Sequence, residues 1–155
     1  MKNVGEKFQD FELKDQDNKN FKTANLRGKK ILLSFHPLAF TPVCADQMKS
    51  LEDNKKTFAE LNTVPLGINV DQPFAKGAWA KELDIKDVRL LADFWPHGAV
   101  AKSLDLFLEK EGFSERANII IDEEGKIIFA KSYKISELPD IKEIIEFLQD
   151  YESNK

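Results

Sequence analysis

The chain has 155 residues, 42% of them hydrophobic and 32% charged, with a formal net charge of −4. That length suits one domain with a sizeable core, and the acidic balance argues against a nucleic-acid-binding surface. A single cysteine excludes an intrachain disulfide and a cysteine-rich zinc site, and no stretch is long and apolar enough to span a bilayer. The opening MKNVGEKFQD lacks the apolar core of a secretion signal, so the cytoplasm is the expected compartment. Charges of both signs are interspersed, which describes a solvated exterior and discloses no partner.

Taken in chain order, Phe8, Phe11 and Leu13 precede the polar turn Asp15-Gln16-Asp17-Asn18 and then Phe21, which predicts a short hairpin. Leu26 to Lys30 reads as a turn into the apolar run Ile31-Leu32-Leu33-Ser34-Phe35, a buried strand. His36-Pro37 ends it, because proline cannot donate to a ladder. Thr41 is a good N-cap and Pro42 suits the first helical position, so a helix is predicted from Pro42 to about Leu61. Val64 to Val70 is a second strand, parallel to the first if the helix is its crossover. Gln72 to Leu83 reads as a helix with Phe74, Ala78 and Trp79 on one side. A third short strand, Arg89 to Ala92, leads to the aromatic loop Asp93-Phe94-Trp95-Pro96-His97-Gly98 and a helix through Leu108. Such a loop either lines a pocket or subunit contact, or folds onto its own core.

Arg116 to Ile121 is a near-continuous apolar strand, Asp122 to Gly125 a turn, and Lys126 to Tyr133 its antiparallel partner. Ser136 is expected to cap the last helix, with Pro139 in its first turn and Ile141, Ile144, Ile145 and Leu148 facing inward. Residues 152–155 are expected to fray. The elements sum to a hairpin, a β-α-β core and a β-β-α end, hence an α/β mixed sheet with helices on both faces. No repeat, linker or low-complexity tract divides residues 1–155, so one domain is expected.

Cys44 falls at the third helical position after the Thr41 cap. The first turn of a helix offers unpaired N–H groups and partial positive charge, which favour the reactive thiolate form of cysteine. The dipole supplies only about 0.3–1 kcal/mol, or ~2 where partly buried, so a second positive group must come from elsewhere. The spacing of Cys44, Met48, Leu51 and Phe58 also marks one helical face, and a free cysteine often serves there as a small hydrophobe. Its place beyond the end of a buried strand, where sites gather in open α/β sheets, favours function.

Pro37-x-x-x-Thr41-x-x-Cys44 resembles the active-site signature of the peroxiredoxins, thiol peroxidases with a thioredoxin-like fold. The string FHPLAFTPVC, together with Asp93 to Val100, is similar to the one-cysteine bacterial group typified by alkyl hydroperoxide reductase E. The similarity runs over most of the chain. It implies a thioredoxin-like fold, with an N-terminal hairpin extension, and reduction of hydrogen peroxide or organic hydroperoxides through a sulfenic acid at Cys44. Arg116, at the edge of an Ala/Ile strand, is the candidate for the second positive group, although most arginines are merely exposed. The resemblance supports it, since peroxiredoxins carry an arginine at the start of this strand. It also gives the Thr41 hydroxyl a role at the sulfur and peroxide, and gives Pro37 the task of shaping and shielding the turn. No metal, flavin or haem is required. With no second cysteine, an external thiol (thioredoxin, glutaredoxin or a small thiol) must regenerate the enzyme, and a homodimer is implied. Relatives commonly have Glu three residues after the cysteine; Gln47 stands here and reads as a minor change in helix packing.

Two rival readings remain. A cysteine-histidine acyl transferase would pair Cys44 with His36 or His97, though no oxyanion-hole motif is evident. A non-catalytic interaction module would use Cys44 for packing alone.

Overall fold

The sheet is built around Lys30–Phe35 (β3), where every residue is buried. Alternation sends Leu32 to one face and Ile31, Leu33 and Phe35 to the other, as the period of two requires. The computed structural model describes residues 1–155. Ahead of β3 lie the paired strands Glu12–Lys14 (β1) and Asn20–Lys22 (β2). After it come helices Pro42–Asp53 (α1) and Lys55–Glu60 (α2), then strand Thr63–Asn69 (β4). Helix Pro73–Leu83 (α3), strand Arg89–Ala92 (β5) and the short helix Ala99–Ser103 (α4) follow. A small hairpin, Phe107–Leu108 (β6) with Phe113–Ser114 (β7), precedes strands Arg116–Ile121 (β8) and Ile127–Tyr133 (β9) and helix Ile141–Ser153 (α5).

The main sheet has the order β2-β1-β5-β4-β3-β8-β9. Strands β3, β4 and β5 are parallel, while β8 runs antiparallel to both β3 and β9. The carboxyl ends of β3, β4 and β5 therefore open onto one rim, and the loops at 36–41, 70–72 and 93–98 share it. Two apolar clusters cover the faces. One joins Ile31, Leu33, Phe35 and Ile119 to α4. The other joins Leu32 and Ile120 to α1, α2, α3 and α5, and it includes Cys44. Gly67 of β4 has a steric reason: a Cβ there would collide with Met48 Sδ and come within 2.9 Å of Leu90 Cδ2. Helix α1 thus lies directly on the sheet.

The thioredoxin-like mixed sheet and the N-terminal hairpin agree with the sequence reading, but several elements differ. The single helix expected to Leu61 breaks at Asn54, whose Nδ2 donates back to the Ser50 carbonyl at 2.8 Å. Phe74 (73% exposed) and Ala78 face solvent, while Lys76, Trp79 and Ala80 turn inward. The helix predicted through Leu108 ends at Ser103, and the chain turns into the small hairpin by way of Asp105 at φ 57°. Helix α5 is capped by Asp140, whose side chain accepts from the Lys142 N–H at 3.0 Å, so Ser136 and Pro139 lie outside it. Its end is tied down, because Glu152 pairs with the fully buried Lys30 and Lys155 with Glu123.

Candidate active site

Thr41 has the extended backbone of an N-cap (φ −107°, ψ 147°), Pro42 occupies the first helical position, and the Thr41 carbonyl accepts from the Ala45 N–H at 2.9 Å. Capping is thus left to the backbone. The Thr41 hydroxyl donates instead to the Leu38 carbonyl at 2.8 Å, closing the 37–41 turn. Ala39 N–H donates to Asp71 Oδ2 at 2.7 Å, which pins that turn to the segment leaving β4. Pro37 is buried at the exit of β3.

Cys44 lies at the start of α1 and is 1% exposed. It is both packed and polar in its contacts. Cys44, Met48, Leu51 and Phe58 form one buried face, and the sulfur also has a cationic partner. Arg116, 2% exposed at the first position of β8, directs Nη1 to Cys44 Sγ at 3.3 Å. The same nitrogen donates to Gln47 Oε1 at 2.7 Å, while Nε and Nη2 donate to the Ile135 carbonyl at 3.0 and 2.7 Å. The guanidinium fork is held at every edge, which fixes its direction.

Gln47 does more than pack. Its Nε2 donates to Ser34 Oγ at 2.7 Å and to the Phe35 carbonyl at 3.1 Å, so it links the arginine to β3. The spacing alone held the signal, since Gln47 lies one turn after Cys44. An open cavity of about 280 Å³ meets the sulfur, lined by Pro37, Thr41, Cys44 and Arg116 together with Leu38 and Phe113. All four residues singled out in the sequence therefore meet in one place.

Neither histidine reaches the sulfur. His36 is buried, with Nδ1 3.3 Å from the Ser34 carbonyl and Nε2 3.4 Å from Lys76 Nζ. His97 Nε2 lies 2.7 Å from the Gly112 carbonyl, against Phe107. The aromatic loop is shaped by Asp93, whose two carboxylate oxygens accept the Val100 and Ala101 N–H groups at the start of α4, each at 3.0 Å. Phe94 and Trp95 stand exposed on it, Trp95 at 80%, so this loop does not fold onto its own core.

A thioredoxin-like sheet presents the one cysteine at the start of its first long helix, and comparison with known proteins gives the class, the thiol-dependent peroxidases. A model described as the AhpC/TSA family matches residues 4–130. The chain belongs to that family, the peroxiredoxins, and is a thiol-dependent peroxidase of the one-cysteine type. Its substrate is a peroxide and its reductant a thiol. Alkyl hydroperoxide reductase E of Mycobacterium tuberculosis is 36% identical over 141 residues, covering 90% of this chain and 92% of that protein. Peroxiredoxin Bcp of Bacillus subtilis is 28% identical over 154 residues, 95% of each. Among solved structures, the reduced 2-Cys peroxiredoxin of Plasmodium vivax superposes with a TM-score of 0.88 at 24% identity, covering 99% of this chain and 83% of that one. AhpC of Enterococcus faecalis gives 0.89 at 23%, covering 98% and 93%. These two likenesses establish the fold.

Proposed function

We propose that Cys44 is the nucleophile of the peroxidase reaction and that Arg116, Thr41 and Pro37 complete its site. What supports this reading is the 3.3 Å approach of Arg116 Nη1 to Cys44 Sγ inside the cavity that all four residues line. The ionised sulfur attacks one oxygen of a hydroperoxide, the S–O bond forms as the O–O bond breaks, and sulfur is oxidised to a sulfenic acid. The departing oxygen takes a proton and leaves as water or an alcohol. Arg116 and the first-turn N–H groups stabilise the negative charge as it moves from sulfur to that oxygen, which is where fixed donors lower a barrier. The Thr41 hydroxyl, which donates to the Leu38 carbonyl, belongs to a residue lining the same cavity and is the donor assigned to the peroxide. Pro37 excludes water without offering a reactive atom.

The sulfenic acid is reduced by an external thiol, whether thioredoxin, glutaredoxin or a small thiol: one thiol forms a mixed disulfide and releases water, and a second frees Cys44. The mouth of the cavity is apolar, with Leu38, Val43, Phe113 and Ile135, and we infer that organic hydroperoxides are accepted beside hydrogen peroxide. The name of the mycobacterial relative, alkyl hydroperoxide reductase E, points the same way. Residues 1–155 act as one domain, in the cytoplasm. Phe40, Phe74, Phe94 and Trp95 are exposed along the rim at the ends of β3, β4 and β5, and a second copy of the chain is the occupant proposed for it, giving a homodimer. No helix is long and apolar enough to cross a membrane.

The test is Cys44→Ser. It is expected to fold as the wild type does and to consume neither hydrogen peroxide nor cumene hydroperoxide, while the wild type yields one dimedone adduct on Cys44 by intact mass. Peroxide turnover by the serine variant would refute the assignment. An unreactive wild type whose serine variant melts far lower would favour a packing role.

A further inference from the structure

A lysine is sealed beneath the peroxide site. Lys76 of α3 has no solvent exposure, a rare condition for this residue type. Its Nζ donates to Asn69 Oδ1 at 2.7 Å, lies 3.4 Å from His36 Nε2, and sits 5.7 Å from the Trp79 ring centroid. The contacts fit one tautomer of His36: Nδ1–H donates to the Ser34 carbonyl, and Nε2 accepts from Lys76. Burial first, and the Lys76 charge second, hold His36 well below its ordinary pKa, so the ring is neutral.

The cluster is continuous with the site. From Lys76, Asn69 Nδ2 reaches Asp71 Oδ2 at 2.6 Å, and that oxygen also holds Ala39 N–H in the 37–41 turn. In the other direction His36 meets Ser34, whose hydroxyl accepts from Gln47, and Gln47 accepts from Arg116. Polar contacts therefore lead from the 37–41 turn, through Lys76, to Ser34, whose carbonyl faces His36 and whose hydroxyl leads by way of Gln47 to the guanidinium beside the sulfur.

We propose that Lys76 is a positioning residue for the peroxidase reaction: as an ammonium it supports the ionised Cys44 sulfur and the 37–41 turn, and on losing its proton it weakens both. The proposal rests on Cys44 being the nucleophile. Burial lowers Lys76 from 10.5 to about 7, with the charges of Asp71 and Cys44 opposing that fall. The charged and titratable groups facing it are His36 at the exit of β3, Asp71 beyond β4 and Cys44 of α1, while Arg116 of β8 acts on His36 across the cluster. Arginine keeps its charge and His36 stays neutral, which leaves Lys76 to change charge near neutrality and makes its titration a coupled one.

The experiment measures the second-order rate of Cys44 oxidation by hydrogen peroxide, with quenched flow and dimedone trapping, from about pH 6 to about pH 9. The wild-type profile is expected to be bell-shaped, with an alkaline fall of about tenfold as Lys76 loses its proton. Lys76→Met should lower the rate at about pH 6 by about tenfold and abolish that fall. Lys76→Arg should keep the rate and lose the fall. Asp71→Asn provides a variant that leaves the lysine in place: it removes a charge favouring the ammonium, so the alkaline fall should move to lower pH. A Lys76→Met enzyme with the wild-type rate and profile overturns the proposal, as does a fall that Asp71→Asn leaves unmoved. An absent Cys44 adduct in the wild type refutes the peroxidase site itself; an adduct with unaltered Lys76 variants refutes only the role of the lysine.

Discussion

Replacing Arg116 by lysine separates charge from direction. The guanidinium makes four donations: to Cys44 Sγ at 3.3 Å, to Gln47 Oε1 at 2.7 Å, and twice to the Ile135 carbonyl at 3.0 and 2.7 Å. One ammonium nitrogen on a shorter stem cannot serve all three acceptors. Two unit charges 3.3 Å apart attract by ~5 kcal/mol at an effective dielectric of about 20, an upper limit that the lysine keeps in part. The directed bond is the part lost, and a hydrogen bond to a charged group contributes ~1.5–3 kcal/mol. Cys44 oxidation by hydrogen peroxide in Arg116→Lys should therefore slow by about 10- to 150-fold. The assay is single-turnover peroxide consumption with sulfenic acid trapping, run beside a thermal melt because the Gln47 and Ile135 oxygens lose partners. A folded Arg116→Lys protein reacting within about threefold of wild type would show that the directed guanidinium bond is not what activates the sulfur.

Two further outcomes follow from packing and burial. Gly67→Ala places a methyl group against Met48 and Leu90, so it should lower stability by ~1–3 kcal/mol in urea unfolding and slow peroxide turnover through displacement of α1; an unchanged midpoint would refute the close approach. Lys76 holds about 7 in the folded protein and its ordinary 10.5 unfolded, so between those values the unfolded state binds the extra proton and stability rises with pH. The slope is at most ~1.4 kcal/mol per pH unit. It should vanish in Lys76→Met when urea midpoints near pH 7 and pH 9 are compared with wild type, and equal slopes would refute the burial argument.

Where the sequence was read correctly, one local signal sufficed. Ile31 to Phe35, Arg89 to Ala92 and Arg116 to Ile121 are apolar runs bounded by charge or proline, and each is a strand at nearly the expected residues. Thr41-Pro42 likewise marks the start of α1. Misread elements depend on side-chain bonds and backbone turns that hydrophobicity does not report. Helix α1 ends at Asp53, where Glu52 turns to accept the Val88 N–H at 2.9 Å and Asn54 bonds back to Ser50, neither visible in a periodic pattern. Phe74 is apolar yet exposed and Lys76 is charged yet buried, so hydrophobicity grouped Phe74 and Ala78 with Trp79, which the fold separates from them. The candidate site was legible where its residues are close in the chain, with Cys44 marked by the helix start and Pro37 and Thr41 by the resemblance. For Arg116 the sequence offered a candidate, and the fold supplied the contact across 72 residues of chain. Gln47 reads in the sequence only as a change in helix packing, and Lys76 goes unread, because a glutamine and a lysine on helices ordinarily face water.

The packing of Trp79 makes the protein its own optical probe. This indole is fully buried and lies 5.4 Å from the His36 ring, 6.2 Å from the Phe40 ring and 5.7 Å from Lys76 Nζ. The other tryptophan, Trp95, is 80% exposed, so iodide silences its emission and leaves that of Trp79. The remaining fluorescence then comes from a ring beside both Phe40 of the 37–41 turn and the buried Lys76 amine, and an unlabelled sample reports on both through its own light.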